Sequence, residues 1–378
     1  MTDPEHSNPD ATSIDEQRVR AVGLLVSPGF SERLAEDLLR TLPEALQRAI
    51  DSTLEWKIEI VVDPLTGSNV AISDVLVEIA EKKARYQWDY AISLTDLPIR
   101  QDDRIILART GGGLDVAVIS LPPLGTFGVR RKAQKMILEV MDDLYRGTIS
   151  EDASSRFVKE SDATRGYVDE DEERNLRYTA PPLKGHIYLL TGMVYANRPW
   201  RLFPSFKTTV ATAFATGGYG LIFTTLWEIG NAYGYGRLIT LMIVAMSFLV
   251  GWIILSHRLW EPKDRDISGY LRSLYNAATL LTIATGVVFY YAVIFVLLLV
   301  AAIIYIPTGM LETTIGQEVT PINYVRIAWV TSSVATIAGA IGAGLEDSEA
   351  VQNATFGWRQ SNRWRQHQQE QEQEDEGE

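Results

Sequence analysis

The chain has 378 residues, with 48 Asp and Glu against 35 Lys and Arg, a net charge of −13 and no Cys. This length allows two or three domains, and the absence of Cys excludes disulfides, thiol catalysis, iron–sulfur clusters and Cys-ligated zinc. The acidic balance argues against nucleic-acid binding, which needs a basic footprint. Residues 1–17 are polar and acidic, so we expect a disordered N-terminus rather than a signal peptide.

Residues 18–147 carry alternating strand and helix patterns. Strands are predicted at 19–27, 54–62, 89–94, 104–108 and 115–120, and helices from Ser31 (with a break at Pro43), at 73–87 and at 128–145. A turn is expected at 64–69. This order predicts a cytoplasmic α/β domain with a mixed sheet.

Glycines at 111–113 join two of these strands, and no Lys-Ser/Thr pair follows them. They therefore indicate a hairpin rather than a phosphate-binding loop. A better candidate for a ligand cleft lies where the first strand ends, facing the end of the third. Ligands of α/β sheets bind beyond the carboxyl ends of strands, and the following helix N-terminus favours an anion. The residues of this candidate cleft are Ser27, Gly29, Ser31, Thr95 and Asp96; the alternative is an ordinary turn and helix cap.

The segments that flank the predicted domain differ from it in composition. Residues 148–183 are acidic and end in two prolines, which indicates a linker. Residues 184–204 mix apolar and basic side chains, and we expect a juxtamembrane helix in the membrane interface; the alternative is a helix packed on the α/β domain. Residues 346–378 are predicted to be a cytoplasmic tail, helical to about 365 and then Gln/Glu-rich.

Four windows without Asp, Glu, Lys or Arg lie at 208–227, 238–255, 277–306 and 327–345. Each is about as long as a bilayer-spanning helix. They predict an all-α bundle of four transmembrane helices within 205–345, at 208–228, 238–256, 277–306 and 325–345. The third window is taken as one long span, although two shorter spans would also fit its length.

Arg and Lys flank alternate ends of these spans, which predicts a multi-pass protein of the plasma membrane with both termini cytoplasmic. Five residues near the span ends are expected to anchor the protein at the membrane interface: Trp200, Arg201, Lys207, Trp227 and Trp329. No Asp, Glu, Lys, Arg or His lies inside the four windows, which disfavours an ion-coupled transporter.

The fourth span carries small residues at helical spacing, in two adjacent ridges. One ridge is Ala328, Ser332, Thr336, Ala340 and Gly344; the other contains Ala335, Gly339 and Ala343. Such ridges let another helix approach closely. The partner helix is expected to belong to the same chain, with a second copy of the chain as the alternative.

The stretch from Tyr90 to Leu97, the hairpin at 105–120 and the helix from Gly128 resemble the layout of archaemetzincin-type zinc proteases. In that family the helix carries two zinc-binding His and a catalytic Glu. Here the corresponding register reads Leu-Glu-Val-Met-Asp at 138–142, where only Glu139 matches. The four His lie far apart in the sequence, so the resemblance implies a scaffold without the metal, and no cofactor is expected.

Three segments, at 192–201, 274–279 and 339–347, resemble an uncharacterised family of multi-span bacterial membrane proteins, which implies architecture only. We expect a non-enzymatic scaffold or sensor. Its expected partners are the lipid bilayer and a protein bound through the domain or the tail, with a homo-oligomer left open and no nucleic acid. The alternative is a transport pathway lined near Gly217 and Thr282. The third hypothesis is a membrane-tethered hydrolase that uses Glu139 or Asp96.

Overall fold

The structure, a computed structural model, describes residues 19–63, 72–101, 104–111, 113–149, 164–170, 173–180, 182–197, 199, 206–261 and 269–344. The chain divides into two compact units, an α/β unit that runs to Ala196 and a helical unit that begins at Asn197. The turn expected at 64–69 and the tail from 346 lie outside the described residues.

The α/β unit contains eight strands and five helices among its described residues. In chain order they are β1 Val19–Val26, α1 Phe30–Leu39, α2 Leu42–Ala49, β2 Glu55–Val62, α3 Ile72–Tyr86, β3 Tyr90–Thr95, β4 Ile99–Gln101, β5 Arg104–Gly111, β6 Val116–Ser120, α4 Val129–Ile149, β7 Thr164–Glu170, β8 Glu173–Thr179 and α5 Pro182–Asn197. The first helical segment breaks before Pro43, at residues 40–41, because Pro43 occupies the first turn of α2.

The strands form one mixed sheet in the order β2-β1-β3-β6-β5-β8-β7, with β4 paired to β5, which confirms the predicted fold of the α/β unit. β1, β2, β3 and β6 pair in parallel, and β5 pairs antiparallel with β6 through the predicted glycine hairpin. Alternate side chains of β1, β3 and β6 point to opposite faces. One face packs on α1, α2 and α4, and the other packs on α3.

The range predicted as a linker contains β7 and β8, which extend the sheet beyond β5. The prediction was wrong here because charged residues lowered the apparent strand signal, while backbone pairing with β5 provides the hydrogen bonds. Tyr178, in β8, is buried in the core and donates a hydrogen bond to Asp143 of α4. The described strands of this acidic range, β7 and β8, are therefore part of the sheet.

Helix α5 packs on the α/β unit instead of leaving it, which favours the alternative interpretation of 184–204. Leu189, Met193 and Ala196 are buried. Gly192 lies directly against the backbone of Pro122, so that a Cβ at this position would overlap the Pro122 carbonyl oxygen. The absence of a side chain at Gly192 thus permits the close approach of α5.

The helical unit contains α6 Lys207–Gly220, α7 Thr224–Ala232, α8 Tyr235–Ser256, α9 Gly269–Tyr305, α10 Thr308–Ile315 and α11 Pro321–Ala343. Among the described residues, three helices are long and apolar enough to cross a membrane: α8, α9 and α11. Residues 277–305 of the third predicted window lie in one continuous helix, α9, which has 37 residues and begins at Gly269; the window was predicted as one long span.

The first predicted span, 208–228, is not one helix, because residues 221–223 interrupt it. Three glycines at 217, 218 and 220 weaken the helix before this point. The Trp227 indole then donates a hydrogen bond to the Leu221 carbonyl oxygen at 2.9 Å. The break is therefore stabilised by a specific contact.

Helices α6 and α7 run antiparallel along α11. Gly217 of α6 lies beside Ala335, Gly342 of α11 lies beside Thr208, and Gly230 of α7 lies beside Ile327. Residue numbers thus rise along α6 and α7 in the direction in which they fall along α11. The two short helices together thus follow α11 over most of its length.

Candidate functional site

The predicted cleft residues meet at the carboxyl ends of β1 and β3. The Ser27 hydroxyl oxygen lies 2.9 Å from that of Ser31 and donates to the Asp96 carboxylate at 3.2 Å. The Asp96 backbone N–H points back at Ser27 Oγ at 3.4 Å. Three of the five predicted residues therefore form one hydrogen-bonded chain, although 69 positions separate Ser27 from Asp96.

The backbone around this cluster explains the roles of Gly29 and Thr95. Gly29 has φ = +102°, a conformation that favours glycine, and its N–H donates to Glu32 at 3.1 Å. The Thr95 hydroxyl accepts a hydrogen bond from the Leu97 N–H at 3.1 Å. These contacts fix the turn that precedes α1 and the bend that follows β3.

A third strand end, which the sequence analysis missed, also contributes. The Ser120 hydroxyl, at the end of β6, donates to the Leu97 carbonyl oxygen at 2.6 Å and is fully buried. The sequence contained a signal for this residue, since Ser120 is the last residue of a predicted strand, as Ser27 is. The pairing of β3 with β6, which brings the two ends together, was not predictable from residue type.

The cluster is closed to solvent. Ser27, Ser31 and Thr95 are 0% exposed, and Asp96 is 1% exposed. Hydroxyl and carboxylate groups at this depth require hydrogen-bond partners, and these groups provide them for one another.

A neighbouring ionic group lies at the end of β2. Asp63 bonds through its N–H to the Val26 carbonyl oxygen at 2.9 Å, and its carboxylate pairs with Lys82 of α3. Lys82 also contacts Glu78 at 2.8 Å. Burial lowers the pKa of the Lys82 ammonium to about 8 and raises the pKa of the Glu78 carboxyl. Sequence analysis missed this group because Lys82 reads as a surface residue of an amphipathic helix.

The hydrolase hypothesis names Glu139 and Asp96, which lie on different elements, because Asp96 follows β3 and Glu139 lies within α4. Glu139 lies on α4 and forms an i,i+4 pair with Lys135 at 3.7 Å. His257 is buried in the helical unit beside the Ala343 carbonyl oxygen at 3.1 Å. No group of three or more potential metal ligands occurs in the described part of the chain.

The small-residue ridges of α11 pack against helices of the same chain. All of their members are buried except Gly344, which is exposed at the end of the helix. A Cβ on Gly339 would lie 2.6 Å from the Tyr290 hydroxyl oxygen of α9 and 3.2 Å from the Cβ of Ala213 in α6. Gly217 and Thr282, proposed to line a path, are likewise buried at helix contacts.

The predicted membrane-interface anchors differ in how exposed they are. Lys207 is exposed, Trp329 is half-buried against the helical core, and Trp227 is buried at the break. Trp227 was therefore wrongly predicted to be an interfacial side chain. Trp200 and Arg201 lie outside the residues whose side chains the structure describes. Tyr235, the first residue of α8, and Tyr305, the last residue of α9, are exposed aromatic side chains at helix ends.

A polar cluster joins the C-terminal end of α7 to the N-terminal end of α11. The Asn323 amide donates to the Asn231 side-chain oxygen at 2.7 Å and accepts from the Thr320 N–H at 2.7 Å. Arg326 reaches the Asn231 carbonyl oxygen at 3.4 Å and lies 5.0 Å over the Tyr235 ring. These contacts fix the start of α11 beside the end of α7.

The resemblance to archaemetzincins lacks the zinc motif that defines that family, and the resemblance to multi-span membrane proteins rests on three short segments. No family model matches this chain, and no curated protein or solved structure matches it.

Proposed function

We propose that this chain is a four-span protein of the plasma membrane, whose cytoplasmic α/β unit is a non-enzymatic sensor that binds a ligand or a protein partner. The observation that carries this proposal is the buried Ser27–Ser31–Asp96 cluster at the carboxyl ends of β1 and β3. Strand order reverses at this point, since β2 and β3 lie on opposite sides of β1. Open α/β sheets bind ligands at such a reversal.

The closed state of the cluster suits a sensor better than an enzyme. In the closed form the hydroxyls and the carboxylate bond to one another, and an incoming ligand would exchange these bonds for its own. A ligand shifts a conformational equilibrium only by its differential affinity for the two states. The exchange of hydrogen bonds at Ser27 supplies that difference, and the turn before α1 is the element that moves.

Two features support the four-span arrangement. The α6–α7 pair follows α11 in antiparallel fashion, so that a fourth crossing is formed by two short helices. Lys and Arg are also unevenly divided between the two ends of the helical unit. Seven occur in segments 198–207 and 257–272, whereas Arg237 and Arg326 are the two in segments 228–237 and 306–326. The positive-inside rule places the first set in the cytoplasm.

The test is purification of the full-length protein from its own membrane under mild conditions, followed by cross-linking and mass spectrometry. We expect a stoichiometric partner cross-linked within residues 31–135 or to the tail, and reduced recovery of that partner with Asp96→Asn. An exposed carboxylate on α1 gives the matched control, Asp37→Asn. Recovery of the protein alone, or an equal yield of bound partner with Asp96→Asn and with Asp37→Asn, would contradict the sensor proposal.

A transport role is the second candidate, and the interrupted α6–α7 crossing favours it. Discontinuous helices in membrane transporters expose backbone groups that bind substrates. The Leu221 carbonyl oxygen is one such backbone group, and here it accepts a hydrogen bond from the Trp227 indole. Solute flux in proteoliposomes that increases with Trp227→Phe, and not with Trp252→Phe, would support transport; equal flux in protein-free vesicles would eliminate it.

A further inference from the structure

One surface of the α/β unit combines exposed apolar side chains with clustered positive charge. We call it the Phe127 face and define it by Phe127, Arg131, Lys132, Lys135, Ile187 and Tyr188. Phe127 is 87% exposed and Ile187 is 64% exposed. These two side chains belong neither to the Ser27–Ser31–Asp96 cluster nor to the buried core of the unit.

The loop that carries Phe127 is held in a defined conformation. Gly125 and Gly128 flank it with φ of +80° and +65°, values that favour glycine. Pro122, Pro123 and Leu124 before the loop are buried, and so is Val129 after it. The Phe127 ring is therefore presented outward by a loop whose two ends are fixed in the core.

Helix α5 completes the same surface. The Tyr188 ring lies against Gly125, where a Cβ would be 3.4 Å from Tyr188 Cδ1. Lys132 Nζ donates to the Leu124 carbonyl oxygen at 2.8 Å and lies 5.2 Å from the centroid of the Tyr188 ring. The loop, the first turn of α4 and α5 thus form one continuous patch.

The charge of this patch is opposite to that of the chain. No Asp or Glu occurs between residues 116 and 138, where four Lys and Arg lie, although the net charge of the chain is −13. The nearest carboxylates along the chain are Asp115, which pairs with Lys83, and Glu139, which pairs with Lys135. The patch is therefore complementary to an anionic surface.

We propose that the Phe127 face docks on the anionic lipid headgroups of the membrane leaflet that adjoins the α/β unit. Aromatic and aliphatic side chains beside Lys and Arg are the combination that binds membrane surfaces, because the apolar groups enter the interface while the cations meet lipid phosphates. Nine residues separate the end of α5 from the start of α6. Such a short tether keeps the effective concentration of the leaflet high. This inference rests on membrane insertion of the helical unit and not on the sensor role.

The test uses the full-length chain in lipid nanodiscs, with a single Thr126→Cys carrying a spin label beside Phe127. The chain has no Cys, so the label has no background. Ala84→Cys on α3, the helix on the opposite sheet face, is the matched control label. Discs of pure phosphatidylcholine are compared with discs that contain about a third phosphatidylserine.

We expect the accessibility of the Thr126 label to a water-soluble relaxation agent to fall several-fold in the phosphatidylserine discs, with no change at Ala84. Phe127→Ser, or Arg131→Glu with Lys135→Glu, restores full accessibility, whereas Arg40→Glu with Arg48→Glu on α1 and α2 does not. Equal accessibility in both lipids would overturn the proposal. Protection that persists in detergent and rises with protein concentration would also overturn it, because that result assigns the face to a protein contact. Failure of the chain to enter nanodiscs would instead contradict the four-span proposal.

Discussion

Gly339 of α11 faces the Tyr290 hydroxyl of α9 so closely that a Cβ at this glycine would lie 2.6 Å from the Tyr290 oxygen. The same Cβ would be 3.3 Å from the Thr209 carbonyl oxygen of α6. One missing side chain therefore lets three helices meet. α11 is the central helix of this unit, and its small residues are the reason that its neighbours can approach.

The first prediction concerns this contact. Gly339→Leu is expected to destabilise the helical unit by about 1–3 kcal/mol or more, because its side chain must displace Tyr290 or the α6 backbone. Gly251→Leu on α8 is the matched control, since a Cβ there meets open space and Leu favours the helix. Thermal unfolding in detergent checks both. Equal melting of Gly339→Leu and the unmodified chain would contradict the packing described for α11.

The second prediction concerns the interruption between α6 and α7. Trp227→Phe removes the indole donor from the Leu221 carbonyl oxygen and keeps most of the buried ring. We expect a loss of about 1–3 kcal/mol in the free energy of unfolding, because a buried carbonyl oxygen loses its partner. Trp252→Phe, at an exposed position on α8, should change stability much less. Similar losses in the two variants would show that the hydrogen bond at the break has no special role.

The third prediction concerns the buried hydroxyl–carboxylate chain of the α/β unit. Asp96→Ala removes the carboxylate that accepts a hydrogen bond from the Ser27 hydroxyl, and we expect a destabilisation of about 1–3 kcal/mol. Asp37→Ala, at an exposed position on α1, is the control and should be nearly neutral. Chemical unfolding followed by near-UV circular dichroism measures both. A neutral Asp96→Ala would mean that the cluster does not hold the closed state together.

The fourth prediction is a pH dependence. Hydrogen bonds from Thr53 and Tyr145 hold the pKa of Asp51 below its ordinary value of 3.8. The unfolded chain therefore binds this proton first as the pH falls. The stabilisation from Asp51 is present above pH 3.8 and is lost as the pH falls through the folded-state pKa.

Asp51→Asn should accordingly flatten the acid limb of the stability–pH curve of the protein below pH 3.8, while Thr53→Ala should flatten it in part. Urea unfolding at a series of pH values measures this difference. If Asp51→Asn keeps the slope of the unmodified chain, the proposed network around Asp51 does not govern acid stability.

Much of the α/β unit was predictable because its strands and helices bury regular patterns. β1, β2 and α3 match their predicted ranges to within one residue at every end, since alternation and helical periodicity are local signals. β7 and β8 were missed because polar strands are held by backbone pairing with their neighbours, which residue type does not record. The break at 221–223 was also missed, because the absence of charge predicts burial in lipid but not helix continuity.

The candidate site was predicted in part for a similar reason. Ser27 and Asp96 follow predicted strands, and parallel strands in one sheet bring their carboxyl ends to the same edge. Ser120 required the β3–β6 pairing, and Lys82 required knowledge of which face of α3 is buried. Both depend on tertiary structure, as does the joining of Phe127 to Tyr188 in one surface.

The most direct test of the account asks whether the α/β unit and the C-terminal tail lie on the same side of the membrane. Single cysteines at Ala84, Gln317 and Ser361 are labelled in intact cells with a membrane-impermeant maleimide, and the protein without Cys supplies the blank. Four crossings, with α6 and α7 forming one of them, predict that Gln317→Cys reacts from outside and that Ala84→Cys and Ser361→Cys react only after permeabilisation. If Ser361→Cys reacts in intact cells while Ala84→Cys does not, the chain crosses the membrane three times, and the proposed arrangement is wrong.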